Sequence, residues 1–460
     1  MQDPRRVSLD LRKKYDIQGP RYTSYPAAPH FHPIPAADVL SQWTARSALA
    51  EDPGLSLYLH IPFCRTRCAF CGCHSIVPRD PEIIERYTRA ILQEMELAST
   101  RLGPRRPVRQ IALGGGTPNF PSEEQIERIL RGLELTWAIA PGAELSVEID
   151  PRSATPGKLD VFLRHGFNRF SLGVQDFTPA VLSLIRRGQD LMQVEHVVSY
   201  LRSQDCTSIN FDLIYGLPGQ DLASAARTAE ETVRLRPGRI ALYSYAHVPW
   251  LQPNQKALER SGLPSPDLKL ELFLTMLDRF HDAGYISVGM DHFALPDDPL
   301  AQALELRTLR RNFMGYTTGR GLDLAAFGAS AISSVGASYS QNAKDIETYL
   351  AGIDAGTLPV ERGFLLGPDD EIRRELIIEL FCTFSADLGS LGARFGIEPG
   401  PYFAEDVARL EPMIDDGLVS VTPGAITVSE TGRFFIRNIC MAFDRYLERD
   451  PAARAYSRTV

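Results

Sequence analysis

Leu55-Ser-Leu-Tyr-Leu-His-Ile-Pro-Phe-Cys64-Arg-Thr-Arg-Cys68-Ala-Phe-Cys71-Gly-Cys73 joins a strand-like run directly to three cysteines spaced C-x3-C-x2-C. Three thiolates fill only three corners of a cubane iron–sulfur cluster, so the fourth iron is open to chelate something else. Structural metal sites close their coordination shell, whereas a vacant position serves chemistry. Cys73 stands two residues further on, within reach of being mistaken for a fourth ligand. A zinc site is the alternative, but it normally brings a second knuckle, and Cys206, Cys382 and Cys440 are isolated. Those three read as buried small hydrophobes. Seven cysteines in a long chain with no secretory apolar segment at its start do not suggest a disulfide framework.

The bulk properties set the wider class. A chain of 460 residues predicts at least two domains. With 44% hydrophobic and 23% charged residues it has the composition of an ordinary globular enzyme. The net charge of −8 argues against a nucleic-acid binder, which would present a basic face. No apolar run is long enough to span a bilayer. Reduced thiols and the lack of targeting signals suggest a cytoplasmic location.

Working outward from Leu55, short β-rich runs alternate with amphipathic segments. Strands are predicted over 55–61, 110–113, 144–150, 169–174, 208–215 and 239–245, with helical patterns over 81–98, 122–139 and 222–235. Such alternation means parallel βαβ units, and six of them fit a partial, TIM-like (β/α)6 barrel of the α/β class. Buried parallel strands usually read as unbroken apolar runs. Here Ser146, Glu148 and Asp150 oppose Leu145, Val147 and Ile149, and Asn210 and Asp212 oppose Ile209, Phe211 and Leu213. Tyr58 and His60 likewise oppose Leu57, Leu59 and Ile61. The apolar face should meet the helices, which leaves a polar lumen suited to a ligand. Barrel enzymes place their sites at the C-terminal strand ends. Those ends carry the cysteine loop, Gly114-Gly-Gly-Thr117, Glu148 to Arg152, Gly173 to Asp176, Asp212 to Pro218 and Tyr245 to His247.

The cysteine spacing with Phe70 before the last thiol, followed by a triple-glycine strand end, resembles the radical S-adenosylmethionine enzymes. Further motifs narrow the resemblance to the oxygen-independent coproporphyrinogen III oxidases. They are Gly19-Pro-Arg-Tyr-Thr-Ser-Tyr-Pro26, Gly173-Val-Gln-Asp176, Asp212-Leu-Ile-Tyr-Gly-Leu-Pro218, Gly289-Met-Asp-His-Phe-Ala294, Arg311-Asn-Phe313 with Gly315-Tyr-Thr-Thr318, and Arg437-Asn-Ile-Cys440. The resemblance implies that Cys64, Cys68 and Cys71 ligate a [4Fe–4S] cluster while Cys73 does not. It implies two S-adenosylmethionine sites, one lined by Tyr58, Gly115, Glu148 and Ile332. The other would be lined by Phe70, Gly116, Thr117, Gln175, Arg187, Asp212 and Ala246. Cys64, Cys68, Cys71 and Tyr58 are the candidate catalytic residues. The implied reaction begins with hydrogen abstraction from a propionate of coproporphyrinogen III by a 5′-deoxyadenosyl radical. Carbon dioxide is then lost at two propionates, giving protoporphyrinogen IX for haem biosynthesis. A flavodoxin or ferredoxin would supply electrons to a monomeric enzyme. Ala112-Leu113, Gly188 and Met314 depart from the family pattern near cofactor-facing positions.

The expected organisation is an arm over residues 1–50, with Arg21, Tyr22 and Tyr25 closing over the site. A barrel with an extension follows over 51–362, then a mainly helical, winged-helix-like domain over 363–460. In that domain helices are predicted over 369–384, 402–417 and 431–448, with a hairpin over 418–428. Lacking a basic stripe, this end reads as a covering domain rather than a DNA reader. The competing functions are a haem-binding chaperone, an iron–sulfur sensor, and a methyltransferase or haem-degrading relative.

Overall fold

Alternating residues from Leu55 onward build a parallel sheet in a computed structural model that describes residues 9–48, 52–447 and 456–459. The chain forms two compact units. One holds His32–Ala283 and Gly321–Leu365; the other holds Met1–Phe31, Gly284–Arg320 and Leu366–Val460. This division differs from the three segments read from the sequence. Among the described residues, 9–31 and 284–320 group with the C-terminal part, and 32–48 group with the barrel. The expected boundaries at 1, 50, 51 and 460, and the helix end at Glu448, lie outside the described residues.

In the barrel unit the six expected strands are present as β1 (Leu55–Ile61), β2 (Pro107–Gly115), β3 (Ala138–Ile149), β4 (Arg169–Gln175), β5 (Ile209–Tyr215) and β6 (Arg239–Ser244). They pair in parallel and in sequence order. Register places Tyr58 beside Ala112 and Ala112 beside Ser146. Glu148 lies beside Ser171 and Gly173 beside Asp212. A further strand, Asp323–Phe327, also runs parallel to β1 on its free side. Antiparallel strands Ile332–Val335, Ser338–Asn342 and Val360–Leu365 continue the sheet beyond it. The fold class is therefore α/β with a partial TIM-like barrel, extended at the β1 edge.

The helices between strands start where their caps dictate. Ser122 accepts the Gln125 amide N–H while Gln125 Oε1 accepts that of Ser122, which opens the helix Glu123–Thr136. Its Ile126, Ile129, Leu130 and Leu133 recur at helical spacing and are buried. The expected extension to Ile139 fails, because Trp137 turns extended and Ala138 already pairs with Pro107. Asp221 and Ser224 cap Leu222–Leu235 in the same way. Along β3, Leu145, Val147 and Ile149 are buried, whereas Glu148 is open to solvent.

The second unit is mainly helical with a small antiparallel sheet, in which Ala425–Val428 pairs with both Ser385–Asp387 and Val419–Val421. The first helix falls at Pro368–Thr383, close to expectation. The expected helix over 402–417 is instead three short pieces, Pro399–Tyr402, Ala404–Ala408 and Glu411–Asp415. Pro401 and Pro412 supply no amide hydrogen to continue a ladder there. The last helix is shorter than expected as well, a 3-10 turn at Gly432–Phe435 and then Ile436–Met441. The N-terminal arm is part of this unit's core. Tyr22 is 2% exposed and donates to Asp444 at 2.9 Å, and Tyr25 is fully buried, edge-on to Tyr446. Arg437 donates to the Pro20 carbonyl at 3.0 Å, and Asn438 to that of Tyr15 at 2.8 Å.

Candidate cluster and cofactor site

β1 ends at Ile61, and the chain turns outward through Pro62 into the cysteine loop. The loop base is pinned by Cys64 N–H donating to Ile76 O at 2.9 Å and by Ile76 N–H donating to Pro62 O at 2.7 Å. Cys71 N–H donates to Cys68 O at 3.2 Å, and Ala69 N–H reaches Ile185 O at 2.9 Å. All three cysteines are free thiols, Cys68 buried and the other two half-buried. Burial pushes the Cys64 thiol up to about 11, while a hydrogen bond from Cys73 pulls the Cys71 thiol below its usual range. Among the described residues no group of three His, Cys, Asp or Glu converges on a single metal ion. In a cubane each thiolate holds a different iron, so convergence on one point is not what a cluster requires.

Donors surround the sulfurs. Thr117 Oγ1 donates to Cys64 Sγ at 3.3 Å, and Arg187 and Arg152 approach Cys68 Sγ at 3.7 and 3.9 Å. Both guanidinium groups are anchored by Asp150, at 2.6 Å for Arg152 and 3.5 Å for Arg187. Arg187 also donates to the Gly173 carbonyl and, at 3.0 Å, to Gln189 Oε1. Such donors suit thiolates bearing cluster charge. The glycines keep space clear beside them. Gly115 has φ +114°, and a Cβ there would lie 2.7 Å from the His60 ring. A Cβ at Gly116 would lie 2.5 Å from Pro62 O and 3.0 Å from Cys64 Sγ. The donor set, the sulfurs and this cleared backbone fit a thiolate-bound cluster with a small polar molecule beside it.

Two carboxylates face the same lumen. Glu148 Oε2 accepts the Gly115 amide N–H at 3.3 Å. Although open to water along the lumen, Glu148 is enclosed by protein. That burial, helped by the charge of Asp212, pushes its pKa up to about 8. Asp212 accepts from Ser171 at 2.8 Å and from Asn210 at 2.9 Å. Tyr58 donates to His60 Nδ1 at 3.2 Å, and His60 Nε2–H donates to the His74 carbonyl at 2.9 Å. Burial holds the His60 pKa down to about 4, so its imidazole is neutral with both nitrogens used.

The sequence-predicted residues are not all in contact. Tyr58, Gly115 and Glu148 form one group, with His60 between Tyr58 and Gly115. Cys64 with Thr117, and Cys68 with Arg187, form a second. Gln175, in a left-handed conformation at φ 70°, stands 3.0 Å from where a Gly173 Cβ would be. Phe70 packs against the apolar cluster of Ile185, Ile214, Leu217 and Tyr245. Ala246, half-buried, follows the end of β6, and Ile332 opens a strand two positions beyond β1 in the sheet.

The sequence reading missed an amide clamp on the cysteine loop. Asn254 Nδ2 donates to the carbonyls of Cys68, Ala69 and Cys71 at 3.2, 3.1 and 3.0 Å. Gln255 holds Phe70 O at 2.9 Å and Gln252 holds Gly72 O at 3.0 Å. The only sequence cue was the run of amides at Gln252-Pro-Asn-Gln255, just past a strand end.

Comparison with known proteins agrees with this geometry. Residues 58–232 match the Radical SAM superfamily, and residues 366–435 match the HemN C-terminal domain. An oxygen-independent coproporphyrinogen III oxidase of Bradyrhizobium diazoefficiens is 41% identical over 455 residues, covering 99% of this chain and 100% of that one. One from Pseudomonas aeruginosa is 41% identical over 450 residues, covering 97% of each. The solved coproporphyrinogen III oxidase (HemN) from Escherichia coli, described as a radical SAM enzyme, superposes with a TM-score of 0.90. It is 39% identical, and the match covers 95% of this chain and 99% of that structure. The chain belongs to the oxygen-independent coproporphyrinogen III oxidase family of radical S-adenosylmethionine enzymes.

Proposed function

We propose that this chain oxidatively decarboxylates two propionates of coproporphyrinogen III to vinyl groups without oxygen, giving protoporphyrinogen IX. The observation that carries the reading is the meeting of the cysteine loop, the cleared Gly115-Gly116 backbone and the acid Glu148 at adjoining ends of β1, β2 and β3. Cys64, Cys68 and Cys71 hold the [4Fe–4S] cluster, and Cys73 stays off it. The cluster and S-adenosylmethionine, when bound, supply the one-electron, hydrogen-abstracting chemistry. Tyr58, Gly115, Glu148 and Ile332 line one cofactor site; Phe70, Gly116, Thr117, Gln175, Arg187, Asp212 and Ala246 line the other.

The chain's own residues bind, orient and exclude. Glu148 and Asp212 attract a cationic amine or accept from ribose hydroxyls. Arg187, preoriented by Gln189 and Gly173, offers a fork to a carboxylate. Neutral His60 fixes the Tyr58 ring by accepting its hydroxyl hydrogen. The burial of Tyr22 and Tyr25 supports an anchoring role for those two in the N-terminal arm. The enzyme works as a monomer in the cytoplasm with a flavodoxin or ferredoxin as donor; no helix among the described residues is long and apolar enough to cross a membrane. The test is an anaerobic incubation of reconstituted protein with coproporphyrinogen III, S-adenosylmethionine and a reductant, read by product mass. Loss of two carbon dioxide units supports the reaction, and an unchanged porphyrinogen mass refutes it.

A further inference from the structure

Three segments of the barrel unit are tied into one surface around the thiols. Residues 65–72 form the cysteine loop. Arg67 donates to Gln252 Oε1 at 2.9 Å, and Gln252 in turn donates to Gly72 O, which fastens the segment 250–255 to the loop. The Ala69–Ile185 backbone bond fastens the segment 184–186. This surface differs from an average patch of an acidic chain. Trp250 and Leu251 are 58% and 57% exposed and Leu184 is 39% exposed, all large apolar side chains. Arg65, Arg67 and Arg186 are exposed on the same three segments or beside them.

Two acids follow these segments in the chain. Asp190 accepts the Gln193 amide N–H at the start of its helix, and Glu259 faces His247 at 3.5 Å. Single exposed apolar residues are ordinary, but a cluster of them interleaved with exposed arginines marks an interaction face. Trp and Arg are the side chains that most often dominate such faces. The chain carries a net charge of −8, so a locally basic face selects partners by its own charge rather than by the molecule's.

We propose that this face, centred on Arg65, Arg67 and Trp250, docks an acidic, low-potential one-electron carrier protein. The inference rests on the proposed reading that Cys64, Cys68 and Cys71 hold a cluster needing an external electron. The carrier would give up one electron and a cluster held by Cys64, Cys68 and Cys71 would accept it, with no bond formed or broken and no proton moved. Encounters of this kind are small, transient and steered by charge, which fits a face of three arginines around a few apolar side chains. The amide clamp keeps this loop rigid beneath the docked partner.

The test uses reconstituted holoenzyme and a purified acidic flavodoxin. Binding of the oxidised flavodoxin and the stopped-flow rate at which its reduced form bleaches the cluster absorbance are both measured against salt. Arg65→Glu with Trp250→Ala should weaken binding and slow this reduction at least tenfold, and should flatten the salt dependence. Arg131→Glu, on the helix Glu123–Thr136, should leave both unchanged. Dithionite should reduce the cluster equally in all of them. Arg65→Glu alone serves if the double variant loses iron. Wild-type flavodoxin binding and reduction in the variants, or an equal loss in Arg131→Glu, overturns the docking face. Failure of the dithionite-reduced enzyme to convert porphyrinogen would refute the reaction instead, whatever the flavodoxin result.

Discussion

Replacing Asn254 with Ala removes a single amide group that three carbonyl oxygens of the cysteine loop share, at 3.0–3.2 Å. An –NH2 group has two hydrogens, so the loss corresponds to two hydrogen bonds of about 1 kcal/mol each, or about 2 kcal/mol in total. That is a roughly 30-fold shift towards loop opening, at 1.4 kcal/mol per tenfold. The remaining contacts of Gln252 and Gln255 with Gly72 and Phe70 leave the loop attached but looser. Two readouts follow the loop directly. Amide hydrogen exchange at Cys71 in apo-protein should accelerate by about the same roughly 30-fold factor, since exchange reports local opening. Iron and sulfide per chain should also fall after anaerobic gel filtration. Asn254→Asp should be worse than Ala, because it brings a negative charge among three carbonyl oxygens. Wild-type exchange at Cys71 in Asn254→Ala, with full iron retention, would refute the clamp.

Glu94 is 2% exposed and accepts from Gly328 N–H, Asn342 and Tyr349, yet burial raises its pKa to about 7. The folded protein therefore holds this proton more tightly than the unfolded chain. The stability is fully present below about pH 4.5 and is lost as pH rises to 7, by about 3 kcal/mol. Glu94→Gln should flatten the decline in thermal midpoint between pH 5 and 8; an unchanged slope would show that other groups set it. The pKa of Glu148 is raised, and a cationic cofactor beside it should favour the ionised form and expel any proton it carries. Calorimetry of S-adenosylmethionine binding in buffers of differing ionisation enthalpy should show this release in wild type and not in Glu148→Gln. Arg437 holds the carbonyls of Gly19, Pro20 and Ser457. Arg437→Ala should cost about 3 kcal/mol and open the arm to trypsin at Arg21; a resistant arm would mean that Tyr22 and Tyr25 anchor it unaided.

The strands that carry the site were legible because each alternates polar and apolar residues and ends in residues with distinctive chemistry. β1 and β5 appear where the pattern placed them, within a residue. The strand Asp323–Phe327 was not legible. Its Leu-Ala-Ala core has neither alternation nor β-branched residues, and its partner β1 is more than 250 residues away in sequence. The amide clamp escaped for a similar reason, since side chains from one loop gripping the backbone of another leave no periodic trace. In the arm, the motif containing Tyr22 and Tyr25 stood out, but its residue types suit an exposed flap as well as a core. Only burial against Phe381 and Tyr446 separates the two.

Charge within the lumen is sorted by strand register rather than by composition. On β3, Glu148 points into the lumen, and Asp150, two residues on, takes the arginines that approach Cys68. A cation-attracting acid and an anion-attracting pair of arginines thus arise from one strand end, a single pleat apart. Val147 and Ile149, between and beside them, are 1% and 2% exposed against the helix layer. A slip of one residue would exchange the two faces, burying Glu148 among apolar side chains and presenting valine to the lumen. Burying an unpaired carboxylate costs several kcal/mol, roughly the scale of a whole domain's stability. The same alternation that holds the sheet in register therefore separates the acidic side of the site from the sulfur side, and neither could be lost without the other.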